Sequence, residues 1–142
     1  MKRSCTAVDP GKHKCGVAVV RDGTLISADT VGVAELAQRT APGVWVCETP
    51  QHYGNKSVAH ADIEYLLLTL ERLANRWGPP KRKYLPRNWK GQVPKVAHHN
   101  RVRAALTPDE LAVFEGTDHN GRDAACLALF YAGRVGVGGT RV

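Results

Sequence analysis

Short apolar runs fill the first third of the chain, and apolar residues at helical spacing fill much of the rest. Residues 4–8 (SCTAV), 15–20 (CGVAVV) and 24–31 have the length and composition of strands. Asp9-Pro10-Gly11 separates the first two by turn chemistry, and Asp22-Gly23 is a hairpin signal between the second and third. These three strands form an antiparallel meander. A short helix is expected over 33–40, and Pro42-Gly43 resets the chain before a fourth strand at 44–47. Ala59, Ile63, Leu66, Leu67, Leu70, Ala74 and Trp77 then recur with helical period, from a Ser57 N-cap to the Gly78-Pro79-Pro80 stop. Tyr65, Leu68 and Leu73 widen that surface, so the helix is either well buried or packed on a partner. A fifth strand at 83–85 and a basic loop at 86–93 come next, with Trp89 either stacking on a sugar or base or, slightly favoured, covering the end of the core. Helices follow over 94–105, from Thr107 to Glu115, and over 120–132. Thr107-Pro108-Asp109-Glu110 is a capping box, Asp118 suits the last N-cap, and Gly133 ends the last helix. The expected fold is α/β, a five-stranded mixed sheet (three antiparallel strands plus parallel strands) flanked by helices. It is expected to span 1–133 as one domain, with 134–142 a flexible Gly-rich tail.

Composition changes this picture mainly through charge. A chain of 142 residues buries a core without disulfide or zinc staples. Cys5, Cys15, Cys47 and Cys126 form no CxxC pair and read as buried free thiols. No apolar run reaches the roughly 18 residues of a membrane span. The first ten residues do not read as a secretory signal, so a cytoplasmic location is expected. Lys and Arg number 20 against 13 Asp and Glu, a net +7. From Arg72 to Pro108 there are ten basic residues and no acidic one, leaving ten basic and thirteen acidic elsewhere. One basic segment on an otherwise mildly acidic chain is the electrostatic footprint of a polyanion partner, nucleic acid first.

Three acids occupy places that suit chemistry. Asp9 follows the first strand and Glu48 the fourth; if those strands are parallel neighbours, about 4.8 Å apart, both carboxylates lie at one sheet edge. Asp123 sits in the first turn of the last helix, with His119 four and Asn120 three residues before it on the same face. Clustered carboxylates repel one another unless cations lie between them, and hard oxygen donors suit Mg²⁺ or Mn²⁺. Two such ions clamp the oxygens of a phosphodiester during hydrolysis. Each acid also has a plainer reading: an Asx turn for Asp9, a solvated rim for Glu48, a favourable helix dipole for Asp123.

The run AVDPGKHKCGVAVV resembles the opening of RNase H-like nucleases, in particular RuvC-type Holliday junction resolvases. VCE resembles that family's second acidic site, PRNWKGQVPKVAHHNRV its basic region, and NGRDAACLAL its last helix. The resemblance implies an endodeoxyribonuclease holding two Mg²⁺ or Mn²⁺ ions on Asp9, Glu48 and Asp123. His119 or Asn120 would complete the set, although the family usually has Asp or His where Asn120 stands. It implies a homodimer on branched DNA that makes paired symmetric nicks with 5′-phosphate ends, without membrane or organic cofactor. Lys12, Tyr53, Lys56, Arg87, Trp89, Lys90, Lys95, Arg101 and Arg103 are then the expected DNA contacts, with Tyr53 stacking on an unpaired base. The same fold could instead cut flaps, forks or RNA–DNA hybrids, or bind junctions without cutting them. His98 and His99, beside Arg101, read as phosphate contacts and not as a metal pair, since neighbours on a helix face different directions.

Overall fold

A computed structural model describes the backbone of residues 3–50 and 57–142, and side-chain environments for 3–50 and 62–142. Strands β1 (Cys5–Asp9), β2 (Lys14–Arg21), β3 (Thr24–Gly32), β4 (Trp45–Glu48) and β5 (Arg82–Tyr84) form one sheet in the order β3-β2-β1-β4-β5. β1, β2 and β3 pair antiparallel, while β4 runs parallel to β1 and β5 parallel to β4. This is the expected mixed sheet. Asp22 and Gly23 both take positive φ, 50° and 79°, as a two-residue hairpin of the twisted type demands.

Helices α1 (Val33–Gln38), α2 (Ser57–Trp77), α3 (Pro86–Trp89), α4 (Lys95–Ala104), α5 (Pro108–Glu115) and α6 (His119–Tyr131) flank the sheet. Alternation along the strands divides the core in two. Ala7, Ala18, Val20 and Val46 meet the buried Ala124–Leu129 run of α6. Val8, Cys15, Val17, Trp45 and Cys47 face the other way, toward Leu36 of α1 and Leu70 and Leu73 of α2. Small residues bring α6 very close to the sheet. A Cβ on Gly16 would lie 1.9 Å from the Asn120 carbonyl oxygen, so glycine is required at that contact. All four cysteines are buried and free, as expected.

Two regions differ from the sequence reading. Residues 86–89 are a short helix, since Pro86 at its first position presets the helical φ. Trp89 on it is 0% exposed, so it is core and not a stacking surface for DNA. The segment 134–142 packs against the domain: Val135, Gly138 and Gly139 are buried, and residues 137–139 form a 3₁₀ turn. Gly138 and Gly139 have φ of 67° and 80°, and a Cβ would meet Val93 at 2.7 Å and His98 at 3.0 Å respectively. On α2, Leu70 and Leu73 are buried, but Tyr65, Leu67 and Leu68 are 49%, 46% and 60% exposed. Among the described residues no helix is long and apolar enough to cross a membrane.

Candidate active site

The pleat sets the site. β1 and β4 pair in parallel register, Ala7 with Val46 and Val8 with Cys47. One step further, Asp9 and Glu48 come level at the ends of their strands. They have the same parity as Ala7 and Val46, so both face α6. There Asp123, 5% exposed, descends from the helix toward them. The carboxylates repel: burial, then Glu48, then Asp123 push the Asp9 carboxyl up to about 7.

Two lysines of the basic segment close the cluster. Lys90 Nζ lies 3.0 Å from Glu48 Oε2, and Lys95 Nζ lies 3.0 Å from Asp123 Oδ2. Burial disfavours the Lys90 charge, but Glu48 and Asp9 outweigh it and hold the ammonium above its ordinary range. Two buried rings complete the arrangement. Trp89 Nε1 donates to Glu48 Oε2 at 2.8 Å, and His99 Nε2 meets Asp123 Oδ1 at 2.9 Å. Burial works against the Asp123 charge, yet His99 and then Lys95 hold this carboxyl below its usual range. An ionised carboxylate only accepts, so the His99 hydrogen sits on Nε2.

The donor set suits a hard divalent cation: three carboxylates from three elements, one of them pushed up to about 7 by burial and by its neighbours. Among the described residues no three His, Cys, Asp or Glu side chains are gathered as a finished metal site, and the lysines stand on two of the acids.

No family model matches this sequence, and no curated protein matches it. Solved structures do. A Thermus thermophilus RuvC structure matches with TM-score 0.59 at 20% identity, over 92% of this chain and 93% of that one. The chain has the RuvC fold. T. thermophilus RuvC in complex with Holliday junction substrate matches at TM-score 0.56 and 21% identity, over 91% and 94% of the two chains. The fold is RNase H-like, as the resemblance implied.

On this RuvC fold the expected residues divide into several groups. Asp9, Glu48 and Asp123 come together, with the Lys90 and Lys95 ammonium groups paired to two of them, Lys90 half-buried and Lys95 exposed along its stem. His119 is exposed at the start of α6. The Asn120 N–H is bound to the Asp118 cap, and its carbonyl lies against Gly16, the ladder partner of Asp9. Neither residue has a side-chain hydrogen bond to the three acids among the described residues. Lys12 is 3.5 Å from Asp62 and 4.9 Å from the Tyr65 ring centre, which ties the β1–β2 turn to α2. Arg103 pairs with Glu115 and Asn100, so its guanidinium serves α4 and α5. Arg87 and Arg101 are exposed. Tyr53 and Lys56 lie outside the described residues.

His98 and His99 are 5% and 6% exposed, which removes them as phosphate contacts. His98 stacks edge-on against Trp89, and burial followed by His99 lowers it to about 4. The sequence carried one usable signal here. Lys95 and His99 are four apart on α4, so they share a face.

Proposed function

We propose that this chain is a divalent-metal-dependent endodeoxyribonuclease that resolves four-way DNA junctions as a homodimer. The observation that carries this reading is the convergence of Asp9, Glu48 and Asp123 under two lysines. They come from two parallel strand ends and one buried helix turn. Asp9, Glu48 and Asp123 would hold Mg²⁺ or Mn²⁺, two ions being the expected number. When bound, such ions supply an activated water and charge stabilisation for the leaving oxygen. Asp9 feels the charge of both other acids. Lys90 and Lys95 bring positive charge to where a scissile phosphate would sit. Arg87 and Arg101 would take flanking phosphates, which position a duplex without reading its sequence. The half-exposed Tyr65, Leu67 and Leu68 of α2 support a dimer seam, and two copies of the site would give one nick in each of two symmetric strands. The products would carry 5′-phosphates. A neighbour of the same fold is solved with a Holliday junction, which supports branched DNA over linear duplex.

A second reading, a junction-binding protein without cleavage, draws on Asn120 and on the lysines that neutralise two of the acids. One experiment separates the two. A labelled four-way junction, a flap and a linear duplex are incubated with Mg²⁺ or Mn²⁺ and either wild type or Asp9→Asn. Paired nicks in the junction that vanish with Asp9→Asn are expected. Glu48→Gln and Asp123→Asn should lose more than the roughly 10–100-fold typical of an outer partner of a metal ligand, while junction binding survives. Cleavage confined to flaps would discard the junction role. Tight junction binding with no cleavage in either metal would establish the second reading.

A further inference from the structure

The basic segment contains two aromatic rings that its charge does not explain. Trp89 and His99 are 0% and 6% exposed in a stretch otherwise rich in surface cations. Each gives a ring N–H to a different carboxylate, Trp89 to Glu48 at 2.8 Å and His99 to Asp123 at 2.9 Å. Both rings are held by other rings. Trp89 packs edge-on against His98 with centroids 5.5 Å apart, and His99 packs edge-on against Phe114 at 5.7 Å. Neither ring belongs to the strands or the helix that carry the acids, so each is an independent reference for its partner's position.

The lysines are poorer references. Lys95 is 54% exposed along its side chain, and a lysine's four-carbon stem is flexible. On Asp123 the two oxygens are divided: His99 takes Oδ1 and Lys95 takes Oδ2. A ring that fixes one oxygen therefore also sets the direction of the other.

We propose that His99 and Trp89 are positioning residues, which orient Asp123 and Glu48 for a divalent cation. The family resemblance implied His119 or Asn120 for the fourth place in the site; the histidine in contact with Asp123 is His99, from α4. This inference rests on the nuclease reading above, and the plainer alternative is that two buried N–H groups have simply found acceptors.

Mn²⁺ binding, read from the free-ion electron spin resonance signal, distinguishes these without any cleavage assay. Wild type, Asp9→Asn, Trp89→Phe, His99→Ala, His99→Leu and His99→Gln are titrated, with a thermal melt of each. His99→Ala and Trp89→Phe are expected to weaken Mn²⁺ binding by roughly 10–100-fold. His99→Gln keeps an N–H donor on a side chain of similar reach and is expected to recover most of the affinity. Wild-type affinity in a cooperatively melting His99→Ala would overturn the proposal. If His99→Ala does not fold, His99→Leu and His99→Gln decide, since both fill the site and only Gln donates. Equal affinity in those two overturns the proposal, and loss in Leu alone supports it. A wild type with no Asp9-dependent Mn²⁺ binding would overturn the nuclease reading together with this one.

Discussion

Asp9 is the residue on which the site's electrostatics converge. Burial and two neighbouring carboxylates raise it to about 7, so near neutral pH it is half protonated until a cation arrives. A ligating carboxylate must give up its proton, and metal binding therefore releases it. The sign follows: the folded acid holds its proton to higher pH than a free one, so protons compete with the cation up to about pH 7 and no longer compete above it. Mn²⁺ affinity should rise about tenfold between pH 6 and pH 8, as the ionised fraction climbs from about 0.1 to about 0.9. Calorimetry in buffers of different ionisation enthalpy would read the released proton directly. A flat affinity over that range would remove Asp9 from the ion's reach. The three acids were legible in the sequence because strand ends and helix turns are local features. Burial of Trp89 at the end of the core was the slightly favoured reading and holds, but its contact with Glu48, and the inward turn of His99, were not legible. A His among many Lys and Arg suggests a surface, and only the packing of α4 turns it inward.

At the scale of elements, one buried acid of α5 ties three parts of the fold together. Glu110 is 1% exposed and accepts from the Leu25 N–H at 2.8 Å and from Arg134 Nη1 and Nη2 at 2.7 and 2.9 Å. It thereby joins α5, the β2–β3 hairpin and the chain just beyond α6. Burial opposes its charge, but Arg134 and the backbone N–H groups win and lower the carboxyl to about 2. Its folded value lies below its ordinary 4.5, so its contribution is fully present above that pH and is lost as pH falls toward 2. Glu110→Gln should cost about 3 kcal/mol at neutral pH, the scale of breaking a buried pair. It should also flatten the acid side of the stability profile, and urea denaturation at stepped pH measures both effects. The capping box that places Glu110 was readable from Thr107-Pro108-Asp109-Glu110, and the five strands and the long helices were readable from their periods. The short helix 86–89 was not, because four residues are too few to show a period.

At the scale of the whole molecule, among the described residues α2 carries an exposed apolar face. Tyr65, Leu67 and Leu68 stand about half exposed on α2, while Leu70 and Leu73 complete the core beneath. Leu68→Glu is expected to shift the proposed dimer to monomer in sedimentation equilibrium with little change in melting temperature, because Leu68 is 60% exposed and contributes little to the monomer's core. Junction cleavage should then lose its pairing, giving single nicks. An unchanged association state would mean that the seam lies elsewhere. A different constraint comes from the segment 134–142, whose composition resembles a dispensable linker. The backbone of Gly138 and Gly139 sits directly against Val93 and His98, with φ values that disfavour any side chain. His98 in turn packs against Trp89, which holds Glu48. Low complexity here does not mean tolerance: in a library of random substitutions, positions 138 and 139 should be as intolerant of change as the interior of the sheet, although they lie in the stretch that reads as most expendable.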